Sequence, residues 1–494
     1  MGLDQVLLLG SVVLLVSVLA ARVGVRLGLP SLLIFLGLGV LVAEFGLPFN
    51  DADLAHSLGF AALVLILAEG GFTTRWQEIR GAMPMALLLA TVGVALSVFL
   101  VAFFAHYALG VEWATAVLLG AIISPTDAAA VFSVLRKVPL PPRLRAVMEA
   151  ESGLNDAPIV LLVATATSWA LSGTPEEGPL IITGLILLEL AGGVLVGAIL
   201  GWFGVQLLRR VALPASGLYP LAALGWAVLA YGAGSSLHLS GFASVYVAAL
   251  ILGNGQLPHR NATRSFAEGI GWIAQIGLFV MLGMLADPLN VSLGGIGLGL
   301  LIGAFLTLIA RPVSVVACLA WFKVPWREQA FVSWAGLRGA VPIILATVPL
   351  AAGVPGATQL FDVVFAFVVF FTFIQAPPLP WIARLLGVSS GEDPTDVEIE
   401  FAPLDTIKAD MMQVRVQEGS RLHGVTIREL RLPKNSVVSL IVRDNEPFTP
   451  KPDQIVRVGD DLLIVTNGND RRTVESRLRS ISQGGRLARW APEE

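Results

Sequence analysis

The chain alternates long apolar runs with short polar interruptions from its start to about residue 386, and then the alternation stops. Runs of about 15 to 25 residues match the length that crosses a ~30 Å hydrocarbon core. They fall at about 5–22, 30–47, 57–73, 82–106, 113–135, 147–171, 180–208, 217–236, 240–255, 268–286, 293–321, 328–350 and 359–384. This pattern predicts an α-helical polytopic membrane protein with about thirteen transmembrane helices. The first run, Val6 to Ala21, lacks the basic start and small-residue cleavage site of a signal peptide and is read as the first helix.

The loops test the count independently, because cytoplasmic loops collect Lys and Arg. Arg22 and Arg26 follow the first run, Arg75 and Arg80 the third, and Arg136, Lys137, Arg143 and Arg145 the fifth. Arg209 and Arg210 follow the seventh, Arg260 and Arg264 the ninth, Lys323 and Arg327 the eleventh, and Arg384 closes the last. The intervening loops carry Asp51, Asp53, Glu112, Glu176 and Asp287 instead. The expected orientation therefore has the N-terminus outside and the C-terminus in the cytoplasm.

Beyond the runs the composition changes. The expected organisation is a membrane domain over 1–386, a linker over 387–402 marked by the acidic, Pro-containing stretch SSGEDPTDVEIEFAP, a small cytoplasmic α+β domain over 403–482, and a tail over 483–494. MMQVRVQ, SVVSLIVRD and DDLLIVTN read as strands, and 426–430 and 470–480 as helices. No GxGxxG follows a strand, so a full dinucleotide-binding fold is not indicated. With 55% hydrophobic and only 14% charged residues, the chain has far too much apolar surface for a soluble domain of this length. The net charge of −4 says little about partners, no nucleic-acid partner is expected, and the single cysteine, Cys318, excludes an intrachain disulfide and a multi-thiolate metal site.

Few polar residues lie inside the runs, and each is costly against lipid unless it faces a cavity or a partner. The acidic ones are Glu69, Asp127, Glu151, Asp156 and Glu189; the basic ones are Arg311 and Arg338. In the fifth run, AIISPTDAAAV sets Pro125 in mid-membrane, where it removes a helix hydrogen bond and disfavours helix at Ser124. A broken helix there offers the Thr126 carbonyl and the Asp127 carboxylate as oxygen ligands. In the sixth run, ESGLNDAPIV stacks Ser152 over Asp156 on one stripe of a helix and Glu151 over Asn155 on the next. The first stripe suits an alkali cation. Glu151 needs a countercharge that Arg338 or Arg311 can supply, and Arg338 is the expected partner. Arg338 lies in GLRGAVPI of the twelfth run, where flanking glycines and Pro342 again predict an interruption. The two interrupted runs stand seven apart, as expected for inverted repeats around a midplane transport site.

SPTDAAAV, ESGLNDAPIV and GLRGAVPI resemble the three signature segments of the monovalent cation/proton antiporter superfamily, in its NhaP-type branch with Asn-Asp in the sixth span; AEGGFTTRW around Glu69 fits as well. The resemblance covers residues 1 to about 386. It implies a homodimer in the plasma membrane that exchanges a monovalent cation for a proton by alternating access, with no cofactor and no enzyme activity. Carried over by motif, Asp156 binds the cation or the proton, Thr126, Asp127 and Ser152 complete the cation site, and Glu151, Asn155 and Arg338 form a supporting polar network. Glu69 and Arg311 are further candidates. Asn155 stands where electrogenic relatives carry a second Asp, which implies electroneutral exchange.

The soluble segment, with VRVGDDLLIV near its end, resembles the TrkA-C (RCK-C) regulatory domain, which implies a small nucleotide as a candidate ligand. That pairing resembles potassium/proton antiporters of cell-volume control and favours K⁺ over Na⁺. Two other functions fit less well. A ligand-gated potassium channel would need a TVGYG-like filter, and an intramembrane aspartyl protease would need Tyr-Asp and Gly-x-Gly-Asp motifs; neither is present.

Overall fold

The computed structural model of the protein describes residues 3–27, 31–45, 49, 51–127, 140–173, 178–286, 293–388, 397–404, 409–417, 419–444, 446–467 and 470–485. Arg136, Lys137, Glu176, Asp287, residues 128–135 of the fifth run, the SSGEDPTD part of the linker and most of the 483–494 tail lie outside the described residues. The chain forms two compact units, one built from 1–136 and 140–390 and the other from 391–494.

The first unit is helical. Its early helices are α1 (Leu3–Leu27), α2 (Ser31–Glu44), α3 (Ala52–Thr73), α4 (Met83–Leu109), α5 (Trp113–Ile123) and α6 (Pro142–Ser172). Then come α7 (Pro179–Arg210), α8 (Leu218–Ser236), α9 (Gly241–Asn254), α10 (Arg260–Leu285) and α11 (Leu293–Phe322). The unit closes with α12 (Trp326–Trp334), α13 (Ala340–Ala351), α14 (Ala357–Gln375) and the short α15 (Leu379–Leu385). Among the described residues, α3, α4, α6, α7, α10, α11 and α14 are each long and apolar enough to cross a membrane, and shorter apolar helices lie in α1, α2, α5, α9 and α13.

Both predicted interruptions are present. Helix α5 stops at Ile123 and the backbone from Ser124 to Asp127 is non-helical; α12 stops at Trp334 and helix resumes only at Ala340. A second paired irregularity is not visible in the sequence. A π-helical turn at Leu89–Gly93 widens α4, and another at Leu306–Ala310 widens α11. These helices occupy the fourth and eleventh runs, seven apart like the two interrupted ones. One turn beyond each widening, the Ser97 hydroxyl donates to that of Ser314 at 3.0 Å, joining the two helices.

Small residues set the helix packing. Helices α2 and α10 cross at Gly39 and Gly283, where a Cβ on either would collide with the other helix's backbone carbonyl. Gly193 and Gly197 of α7 pass against Ser240 and Ser244 at the start of α9 in the same way. Between helices in lipid, where burial gains little, such backbone approach is a main source of attraction.

The second unit carries an antiparallel sheet ordered β1-β2-β5-β3-β4, with β1 (Val397–Leu404), β2 (Ala409–Val416), β3 (Ser436–Arg443), β4 (Glu446–Phe448) and β5 (Asp461–Asn467). The predicted strands correspond to β2, β3 and β5. The sheet differs from expectation at its first strand, which begins at Val397 inside the stretch read as linker. Its VEIEFAPL alternates acidic and apolar residues, so the charge that suggested a linker also fits a strand with one wet face. Alternate residues Met412, Val414 and Val416 of β2 and Leu462 and Ile464 of β5 are buried. Against them lie Val474, Leu478 and Ile481 from α16 (Arg471–Gly484), at the i, i+4, i+7 spacing of one helix face.

Asp460, fully buried, receives two hydrogen bonds from Arg443, at 2.7 and 2.8 Å, and one from the Arg457 amide at 2.8 Å. The bond to Asp460 pushes the Arg443 guanidinium above its ordinary pKa, so the guanidinium stays charged at any working pH. Removing one partner of such a pair costs about 3 to 5 kcal/mol. Arg443→Ala should therefore speed proteolytic cleavage within 397–485 of the full-length protein while leaving the helical unit's cleavage rate unchanged, as read by timed digestion and mass spectrometry.

Candidate functional site

The site begins with the chain break after α5. Pro125 has no N–H, the Ser124 hydroxyl donates to the Gly120 carbonyl at 2.6 Å, and the chain continues to Asp127 without regular secondary structure. The Asp127 amide then donates to the Leu337 carbonyl at 2.9 Å. The two interrupted segments thus meet backbone to backbone. Gly339 starts α13 and lies so close to Asp127 that a Cβ there would collide with Oδ2. A carboxylate at the start of a helix and a cation at the end of one are both favoured by the exposed backbone charges. The structure has both, because Arg338 Nε donates to the Ile123 carbonyl at the end of α5, at 3.0 Å.

Arg338 is therefore not the partner of Glu151. Its other donation goes to the Gly336 carbonyl at 2.7 Å, and Thr372 of α14 holds the Arg338 carbonyl at 2.9 Å. Glu151 pairs with Arg311 instead, through two parallel bonds of 2.7 and 3.0 Å, with both side chains almost wholly buried. The reason is the π-helical turn at 306–310, which ends directly before Arg311 and locally changes the helical phase. Carbonyls left at the two interruptions, Ile123 of the fifth run and Gly336 of the twelfth, occupy Arg338.

The freed Thr126 carbonyl, expected as a cation ligand, accepts from the Ser152 hydroxyl at 2.9 Å and from Asn155 Nδ2 at 3.4 Å. Asn155 Nδ2 also donates to the Thr126 hydroxyl at 3.0 Å, and that hydroxyl reaches Glu151 at 3.5 Å. On the neighbouring stripe of α6, Glu151 reaches out to α11 and Asn155 to the break after α5. A carbonyl has two lone pairs, and here both are engaged.

Asp156 is buried, and its Oδ1 has no hydrogen-bond partner among the described residues. It lines a cavity of about 220 Å³ together with Asp127, Thr126, Ser152 and Glu69. An oxygen-rich, carboxylate-bearing cavity with one uncommitted carboxylate oxygen suits a cation or a proton and gives nothing to an anion. Glu69 of α3 reaches the cavity over Gly271 of α10, where a Cβ would touch its side chain at 2.7 Å. Behind the site a void of about 10 Å³, the size of one water, lies among Thr126, Asp127, Glu151 and Arg311. Three cavity residues escaped the sequence reading: Glu149, Tyr246 and Gln275. Glu149 had a signal, since 149, 152 and 156 share one helix face.

A profile of the transmembrane sodium/hydrogen exchangers matches residues 11–385, more than half of the chain. The chain belongs to this family. It performs cation/proton exchange as an antiporter of that family, and a TrkA-C domain profile matches residues 411–479. A K(+)/H(+) antiporter NhaP2 of Shewanella sp. (strain MR-4) is 34% identical over 475 residues, 94% of this chain and 81% of that protein. A K(+)/H(+) antiporter NhaP of Alkalimonas amylolytica is 33% identical over 494 residues, 97% of this chain and 84% of that protein. A Na(+)/H(+) antiporter NhaH of Halobacillus dabanensis is 27% identical over 339 residues, 66% of this chain and 82% of that protein. The fold is that of the sodium proton antiporter MjNhaP1 from Methanocaldococcus jannaschii, with a TM-score of 0.66, 23% identity, and coverage of 78% of this chain and 100% of that one.

In this antiporter, Glu151→Ala or Arg311→Ala should each destabilise the detergent-purified protein by about 3 to 5 kcal/mol, and the double variant should recover part of the loss. A double-mutant cycle by thermal unfolding should show larger coupling for Glu151 with Arg311 than for Glu151 with Arg338.

Proposed function

We propose that the protein exchanges one K⁺ for one H⁺ across the plasma membrane, electroneutrally, by alternating access around Asp156. The observation that carries this reading is the buried Asp156 carboxylate, which lines a cavity of about 220 Å³ and keeps one oxygen, Oδ1, without a hydrogen-bond partner among the described residues. A carboxylate so placed holds a cation or a proton, never both, and exclusive occupancy couples the two fluxes. Asp127 and the Ser152 hydroxyl add oxygen ligands, Thr126 and Asn155 hold the break in shape, and the Glu151–Arg311 pair anchors α6 to α11. Arg338 serves the supporting network by neutralising the end of α5.

K⁺ is favoured because the relatives named for potassium match nearly the whole chain at 33 to 34%, whereas the relative named for sodium matches two thirds of it at 27%. We assign thirteen crossings with the N-terminus outside, from the basic residues that follow odd-numbered runs. On that orientation the cavity opens towards the cytoplasm, since it is lined by the C-terminal part of α3 and the N-terminal part of α6. The functional unit is a homodimer, and the TrkA-C domain, over about 403–482, regulates exchange through a small nucleotide.

Inverted membrane vesicles with a pH-sensitive dye test the central claim. Dequenching should follow addition of K⁺ more strongly than Na⁺ or Li⁺, and Asp156→Asn should abolish it at wild-type abundance. Normal flux in that variant sinks the mechanism.

Truncation after Gly391 tests the regulatory claim. It should leave exchange intact but change its dependence on pH or cation concentration, because a ligand alters activity only if it binds the two states unequally. Superimposable profiles, with no heat on adding cyclic dinucleotides to the full-length protein, would remove the regulatory reading.

A further inference from the structure

The cavity extends past Asp156 along one face of α6. Glu149, Ser152, Gly153 and Asp156 all line it, at the i, i+3, i+4, i+7 spacing of a single stripe. Seven residues of helix rise roughly 10 Å, so Glu149 stands about two turns nearer the α6 N-terminus than Asp156. Between the two lies Gly153. A Cβ there would come within 2.7 Å of the Tyr246 hydroxyl, so the missing side chain is what lets this phenol from α9 reach across to α6. Tyr246 is itself buried, faces Thr74 at the end of α3, and feels the charges of both Glu149 and Asp156.

Glu149 has no part in the site as read so far. It is half-buried, and the charges acting on it are Arg145 one turn earlier on α6 and Arg75 and Glu78 from the segment after α3. Glu69 faces it across the cavity. A solvated surface acid would project away from the protein; this one lines the same cavity as Asp156, whose Oδ1 is unpartnered among the described residues. A cation leaving water must shed its hydration in steps, and an intermediate carboxylate supplies oxygen ligands and negative potential before the final site is reached.

We propose that Glu149 is a second carboxylate station for the transported cation on the cytoplasmic route to Asp156, with the Tyr246 phenol standing between the two. The proposal rests on the reading that Asp156 binds the cation. Glu149 loads the route from the cytoplasmic face and takes no part in release to the other face.

The test uses the full-length protein in membrane vesicles of both orientations. Glu149→Gln, nearly isosteric, should raise the apparent KM for K⁺ roughly tenfold when K⁺ is added to the cytoplasmic face, as expected for losing one charge at this distance. The maximal rate should stay near wild type, and the KM measured from the opposite face should not change. Glu149→Cys gives an independent arm, because the chain's one cysteine, Cys318, is buried. Labelling with a negatively charged methanethiosulfonate should restore the low KM, and a positively charged one should raise it further. An unchanged cytoplasmic KM, equal rises from both faces, or the same response to both reagents would each overturn the proposal. Failure of the Asp156 reading is seen separately, as normal flux in Asp156→Asn.

Discussion

Two helices that stop in the middle of a membrane leave backbone groups with no water to satisfy them, and the arrangement of this transporter follows from how those groups are paired. The bond from the Asp127 amide to the Leu337 carbonyl ties one interruption to the other. Arg338 closes the end of α5, and Asp127 lies at the start of α13. Each charge is thereby placed where the helix ends favour it, so the crossing is neutral overall despite its formal ions. Irregular backbone is tolerated at this depth only beside a cavity or within protein, and here it has both.

The Glu151–Arg311 pair extends that logic to α6. A bidentate ion pair, nearly sealed from solvent, fixes the rotation of the helix that carries Ser152, Asn155 and Asp156. Once α6 is fixed, Asn155 and Ser152 fall against Thr126, and Asp156 lines the cavity with one oxygen unpartnered among the described residues. The polar residues of ESGLNDAPIV thus divide into those that build the frame and one that is left available. The π-helical turns in α4 and α11 add a related device, because they alter side-chain phase without a proline, and one of them delivers Arg311 to Glu151.

The soluble unit uses different means. Its sheet buries one face through strict alternation on β2 and β5, and its helix covers that face. The buried Asp460 ties the approach to β5 to Arg443 at the end of β3. Nothing in this unit depends on lipid, which accords with the abrupt change of composition that precedes it.

The sequence by itself determined the membrane class, the apolar runs, both interruptions and the three signature segments, because these depend on local chemistry: run length, proline and glycine, and residues one helical turn apart. It also determined β2, β3, β5 and the last helix, where period-two and period-four patterns are plain. Only the tertiary structure decided that Glu151 pairs with Arg311 and not Arg338, since the choice between two arginines on different helices depends on helix rotation, and a π-helical turn leaves no mark in the sequence. It likewise decided that the Thr126 carbonyl is already engaged, that β1 begins at Val397, and that Glu149 and Tyr246 share the cavity of Asp156. Each of these is a contact between segments distant in the chain, and no local pattern specifies which distant segment will arrive, or in which orientation.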